Sequence, residues 1–341
     1  MSSHISIKRD HPLKNLNTFG LDATCSYFVE PQNVFQLNQV YSSSEISAKS
    51  VFVLGGGSNV LFTANYKGLV IHPVFKGIKI LFENEQFVDV EVMAGENWDA
   101  FVNYCLNRNY AGFENLVLIP GNVGAAPIQN IGAYGVEQKD HFKSLTAFDM
   151  KERKLLEFNK QECGFEYRNS KFKKEKGRYL IVSVIYSLKK NVRPDIGYEA
   201  LQQHFNKHHV SPDSIHKVAD AVRFIRRSKL PDPDQLGNAG SFFKNPVVNM
   251  DLFEKIRSKN DQMPYYLLSG DQVKIPAGWL IEKCGWKGKR IGNAAVHEKQ
   301  ALVIVNYGGA TGNEILELSK KIRESVKQTF GIELEPEVNI L

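Results

Sequence analysis

Hydrophobic residues follow two rhythms along this chain. Val34, Leu37 and Val40 stand at helical spacing, as do Trp98, Phe101, Val102, Cys105 and Leu106 within residues 96–109, and Val218, Val222 and Ile225 within residues 214–228. Each set places an apolar stripe on a 3.6-residue repeat, which predicts a helix packed by one face. Between the helices lie short apolar runs of strand length at 50–54, 68–71 and 179–185, the last being the clearest of several strands separated by polar loops over 142–188. Three more helical patterns occupy the last hundred residues. In the final one Thr311 and Glu314 have capping-box spacing, Ile315, Leu318, Ile322, Val326 and Phe330 form the stripe, and Gly331 is the stop. Residues 332–338 then alternate, which predicts a strand that Pro336 confines to an edge or an end.

Two breaks interrupt this pattern. Residues 191–195 end the strand-rich stretch, and Leu230-Pro231-Asp232-Pro233-Asp234 stops the helix before it, because proline disfavours helical geometry in the residue it follows. The second break is read as a domain boundary. With 341 residues the chain has room for two or three domains. Apolar content of 43% and charged content of 23% suit a folded soluble protein and exclude a disordered chain or a fibre. There is no fixed-period repeat. The net charge of +6 is spread along the chain, which favours small anionic ligands over nucleic acid. Cys25, Cys105, Cys163 and Cys284 form no C-x-x-C pair, so reduced, mostly buried thiols are expected. The first ten residues lack the apolar core of a signal peptide, and no run is long enough to span a membrane, so a cytoplasmic location is expected.

Candidate chemistry begins with glycine. Gly55, Gly56, Gly57, Ser58 and Asn59 follow a predicted strand, where glycines allow positive φ and let backbone N–H groups converge on an anion. Val60 and a further strand-like run replace the third glycine and helix that a dinucleotide turn requires, so the loop is not of that kind. A second loop runs from Pro120 through Gly121, Gly124, Ala125, Ala126, Ile128, Gln129, Asn130, Gly132 and Ala133 to Gly135. Its small side chains would let backbone approach a flat ring or a pyrophosphate, and Gln129 and Asn130 offer amides. Two such loops together point to a large phosphate-bearing cofactor. His204 and His208 are spaced for metal ligation, but no acidic partner follows, and no metal is expected.

The chain resembles the bacterial UDP-N-acetylenolpyruvoylglucosamine reductases, in their first and longer form. The resemblance runs nearly end to end, through Asn17-Thr18-Phe19-Gly20, Gly55 to Asn59, Ala94-Gly95-Glu96-Asn97-Trp98, the Pro120–Gly135 loop, Tyr167-Arg168-Asn169-Ser170, Lys229-Leu230-Pro231, Ala239-Gly240-Ser241-Phe242-Phe243-Lys244-Asn245-Pro246, Ala277-Gly278-Trp279-Leu280 and Leu334-Glu335-Pro336-Glu337. It implies an α+β fold in three parts, with residues 1–72 and 73–228 clasping FAD and residues 229–341 binding substrate, the last strand packing back on the FAD parts. It also implies an FAD enzyme that uses NADPH to reduce the enolpyruvyl ether of UDP-N-acetylglucosamine to UDP-N-acetylmuramate, with no nucleic-acid or membrane partner. By the same resemblance Ser241 donates a proton, Arg168 binds the substrate carboxylate, Glu337 completes the catalytic set, and Tyr198, Lys229, Asn245 and Tyr266 hold the substrate. Many members carry serines where this chain has Ala125 and Ala126, so hydroxyl contacts to the flavin are absent there. Two other readings stay open: an oxidase on the same flavin scaffold, and a non-catalytic nucleotide-sugar binder, which would have no reason to retain Arg168, Ser241 and Glu337 together.

Overall fold

The fold was analysed in a computed structural model, which describes residues 4–42 and 50–341. The start of the N-terminal segment read above, residues 1–3, lies outside the described residues. The chain clusters into two units: one holds the described residues up to His11, Cys25–Gly56 and Lys67–Ser228, the other Pro12–Thr24, Gly57–Tyr66 and Lys229–Leu341. Residue 72 lies inside the first unit, and two early segments join the second.

Besides the short pair Gly132–Ala133 and Val136–Glu137, the described residues of the first unit form two sheets. In the smaller the strand order is Lys8–Pro12, Thr24–Val29, Tyr66–Ile71 and Val51–Val53, the last two being parallel. The larger is antiparallel in the order Lys154–Asn159, Phe142–Asp149, Tyr179–Lys190, Phe87–Met93 and Ile78–Glu83, with Tyr110–Ala111 paired to the far end of Tyr179–Lys190. The strand expected at 179–185 thus extends to Lys190, and it is central to the sheet because alternate and intervening residues are both apolar and buried. The expected helices form at Val34–Ser42, Trp98–Leu106 and Ile215–Lys229. Trp98, Phe101, Val102, Cys105 and Leu106 of the second are all buried, and the Asn97 side chain caps it by accepting from the Ala100 N–H. Trp98, Phe101, Phe113 and Tyr186 pack ring against ring, with centroids 5.0–6.0 Å apart.

The second unit is built on an antiparallel sheet in the order Gly237–Ser241, Val303–Asn306, Ala294–Val296 and Arg290–Ile291. The helix Gly312–Phe330 buries Ile315, Leu318, Ile322 and Val326, starts with the expected Thr311–Glu314 capping box and stops at Gly331 in the left-handed region. A small sheet of Val247–Asn249, Gln272–Lys274 and Tyr266–Leu267 lies in the same unit, and Asn339–Ile340 pairs in parallel with Val60–Leu61.

Residues 332–338 are not the strand the alternation predicts. Ile332, Leu334 and Val338 are buried as expected, yet the segment makes only an isolated bridge between Pro336 and Phe243. The pairing consists of Lys244 N–H to Glu335 C=O and Glu337 N–H to Phe242 C=O, which leaves Pro336 at a non-hydrogen-bonded position where a missing N–H costs nothing toward Phe243. The cysteines are free as expected, with three buried and Cys284 partly so. Burial pushes the Cys25 thiol up to about 11 and that of Cys163 up to about 12, so both stay protonated and inert. No described helix is long and apolar enough to cross a membrane.

His141 lies edge-on to Phe113, with ring centroids 5.3 Å apart, and burial lowers its pKa from the ordinary 6.5. The unfolded chain therefore takes up this proton before the native state does. Stability contributed by the neutral imidazole is present above pH 6.5 and is lost as pH falls from there toward the lower native value. Urea midpoints measured between about pH 7.5 and 5.5 should fall with pH, and His141→Gln should show the smaller fall. Equal slopes for the two proteins would contradict this account of His141.

Candidate functional site

The Pro120–Gly135 loop buries Val123, Ala126 and Ile131 in the core, and hydrogen bonds tie it at both ends. At its start, Gly124 N–H donates to Ala94 C=O, Val123 N–H to Glu96 C=O and Trp98 N–H to Gly121 C=O. A Cβ at Gly124 would lie 2.6 Å from that of Ala94, so the two segments touch at backbone distance. Toward its end, Ser170 Oγ donates to Ile128 C=O, and Arg168 donates through Nη1 to Asn130 C=O and through Nη2 to Gly132 C=O. Gly132–Ala133 then pairs with Val136–Glu137 across Tyr134 and Gly135, both with positive φ, as a tight hairpin requires.

Gly55 and Gly56 meet this loop. A Cβ at Gly56 would stand 2.7 Å from Gly121 Cα, and one at Gly55 would stand 3.6 Å from Ala125 Cβ. Among the described residues the N–H groups of Gly55, Gly56, Gly121 and Asn122 donate to no protein acceptor. Unspent backbone donors on two touching loops without side chains fit the pyrophosphate and planar ring of FAD. Ala126 is buried in the core and Ala125 exposed. Ala125 and Ala126 therefore differ in kind: the second belongs to the packing, the first faces outward.

Asn130 departs from the sequence expectation. Its side chain, wholly buried, donates to the Glu137 carboxylate and to Glu166 C=O, and it accepts from Gln138 Nε2 and Lys139 N–H. The amide is fully used within the protein, so what Asn130 can offer a ligand is backbone alone. The Arg168 guanidinium lies 5.1 Å from the Tyr167 ring centroid, with its plane set by the two carbonyls it holds. Tyr198 stacks edge-on against Tyr134 at 5.4 Å and so packs on the same hairpin.

In the second unit, Gly57 to Asn59 are held from two sides. Thr18 N–H donates to Gly57 C=O, Thr18 Oγ1 to Asn238 C=O, and Asn59 Nδ2 to Glu337 C=O. Gly57 has φ +64°, and a Cβ there would fall 1.9 Å from Leu16 C=O oxygen, so only glycine fits. Asn17 closes its own turn, donating to Leu13 and Leu21 C=O and accepting from Leu21 N–H. The Asn17-Thr18 pair is thus a fastener whose role the sequence does not reveal.

Ser241 ends its strand with an exposed side chain that caps no helix and donates to nothing among the described residues. The bond from Glu337 N–H to Phe242 C=O brings Glu337 beside it. Asn245 accepts from Ala277 N–H, so half its amide starts the Ala277–Lys283 helix while its NH2 group is left over. Lys229 is exposed at the end of Ile215–Lys229, and Tyr266 is exposed, with Lys274 Nζ 5.2 Å from its ring centroid. His204 and His208 lie with ring centroids 4.3 Å apart, and no group of three or more potential metal ligands occurs among the described residues.

Comparison with known proteins agrees with this geometry. Residues 25–157 match an FAD binding domain, and residues 232–341 match the C-terminal domain of UDP-N-acetylenolpyruvoylglucosamine reductase. The reductase of that name from Flavobacterium johnsoniae is 47% identical over 339 residues, covering 99% of this chain and 100% of the relative. That from Pseudomonas putida is 46% identical over 328 residues, covering 96% and 97%. The crystal structure of the Thermus caldophilus enzyme has the same fold, with a TM-score of 0.68 at 21% identity over 98% of both chains. With near-half identity along essentially its full length, the chain belongs to the UDP-N-acetylenolpyruvoylglucosamine reductase family.

Proposed function

We propose that this chain reduces UDP-N-acetylglucosamine enolpyruvate to UDP-N-acetylmuramate with NADPH and FAD, using Arg168, Ser241 and Glu337. The observation that supports the assignment best is the contrast between Ser241 and its surroundings. Its hydroxyl is exposed and unspent, beside backbone N–H groups of Gly240, Phe242 and Lys244 that are bonded within the protein. FAD, when bound, would supply the hydride chemistry that links NADPH oxidation to reduction of the enol ether. The touching glycines, Gly55 and Gly56 with Gly121 and Asn122, hold it through backbone N–H groups.

What remains for the protein is charge and a proton. Electron density moves onto the substrate carboxylate, and Arg168 offers a planar guanidinium whose orientation is fixed by Asn130 and Gly132 C=O. The carbon next to the carboxylate must be protonated, and it is basic enough in that state for the Ser241 hydroxyl to serve as donor. Glu337, whose backbone N–H bonds to the Phe242 C=O next to Ser241, is the group that returns the proton. Lys229, the spare NH2 of Asn245, Tyr266 and Tyr198 bind the nucleotide sugar. The reading includes action in the cytoplasm with no nucleic-acid or membrane partner, which cell fractionation tests.

Ser241→Ala should leave anaerobic flavin bleaching by NADPH within about twofold of the parent and slow its restoration by the enolpyruvyl nucleotide by about 100-fold or more. Stopped-flow absorbance follows both phases; equal slowing would remove Ser241 from the proton step. Gly56→Val should weaken FAD binding by about tenfold or more, read by flavin content and fluorescence titration, because a branched side chain cannot share space with Gly121. A variant that binds FAD as the parent does would overturn the cradle.

A further inference from the structure

Arg168 holds the loop carbonyls of Asn130 and Gly132. The loop in turn reaches the larger sheet of the first unit through a short chain of side chains. Tyr186, fully buried on the central strand and packed among Trp98, Phe101 and Phe113, donates its hydroxyl to Gln138 Oε1 at 3.2 Å. Gln138, also fully buried, donates Nε2 to Asn130 Oδ1 at 3.3 Å, and its own N–H donates to Ile131 C=O at 2.8 Å. Asn130 stands at φ +47°, a conformation a non-glycine residue keeps only when its surroundings hold it there. Burial raises the Tyr186 hydroxyl well above its ordinary pKa, so it stays a donor and orients the Gln138 amide.

From this connected path we infer that Gln138 and Tyr186 are positioning residues for Arg168, fixing the loop carbonyls that aim its guanidinium at the substrate carboxylate. The inference rests on the reading of Arg168 given above. Neither residue touches substrate. Each acts by tying a glycine-rich loop to the most tightly packed strand of the unit, so that the guanidinium is aimed before substrate arrives.

The test compares a ligand that carries the carboxylate with one that lacks it. Calorimetry on the FAD-loaded protein gives dissociation constants for UDP-N-acetylmuramate and for UDP-N-acetylglucosamine. The double variant Gln138→Met/Tyr186→Phe removes both polar groups together, which avoids leaving either one buried and unpaired. It should weaken UDP-N-acetylmuramate binding by about tenfold while leaving UDP-N-acetylglucosamine within about twofold. Flavin bleaching by NADPH should stay within about twofold, and the KM for the enolpyruvyl nucleotide should rise. If both ligands weaken alike, or neither does, the positioning role is overturned. Should the double variant not fold, Tyr186→Phe alone decides, with a selective loss of about threefold expected and no selective loss counting against. Arg168→Met separates the two levels. If it shows no selective loss, the assignment of Arg168 fails; if it does and the Gln138 and Tyr186 variants do not, only the positioning role fails.

Discussion

The Pro120–Gly135 loop sends only a few side chains into the core, Val123, Ala126 and Ile131 among them, so the rest of its shape is imposed by hydrogen bonds from neighbouring segments, and on these the first unit depends. A free glycine-rich loop samples many conformations, and ordering it costs entropy that the loop itself cannot offset. Residues 94–98 grip one end through backbone, and residues 166–170 grip the other through Ser170 and Arg168. Once fixed, the loop presents Gly121 to Gly56 at a distance that only glycines allow. The same bonds that shape this loop hold the Arg168 guanidinium.

Polar groups divide into those already satisfied and those left over. Asn130, Gln138, Asn17 and Thr18 bond within the protein and belong to the scaffold. The N–H groups of Gly55, Gly56, Gly121 and Asn122, the Ser241 hydroxyl and the NH2 of Asn245 have no such partner among the described residues. A buried polar group without a partner is costly, whereas one at an accessible position loses little by waiting for a ligand. That difference explains how residues of similar chemistry, adjacent in a motif, come to opposite uses.

Local features were legible in the sequence because their physics is local. The Thr311–Glu314 box, the Gly331 stop and the stripes of Trp98–Leu106 and Gly312–Phe330 each depend on residues within a few positions. The two glycine-rich segments were legible as loops, since runs of glycine and alanine have few uses. The role of Asn130 was not, because it depends on Glu137, Glu166 and Gln138 meeting in space. Residues 332–338 misled, since burial alternates there as it would in a strand while the described residues form only an isolated bridge at Pro336. The membership of residues 12–24 and 57–66 in the second unit was invisible for the same reason: their partners lie more than two hundred residues away.

That last arrangement bears on how the protein is made. Thr18 bonds to Asn238, and Val60–Leu61 pairs with Asn339–Ile340, so peptide emerging early from the ribosome has its partners only when synthesis is nearly over. The first unit has nearly all of its chain by Ser228. At an elongation rate of about 5–20 residues per second it can condense while the apolar side chains of Phe19, Leu21 and Leu61 still await their core, leaving a nascent-chain intermediate with an exposed sticky segment suited to chaperone capture.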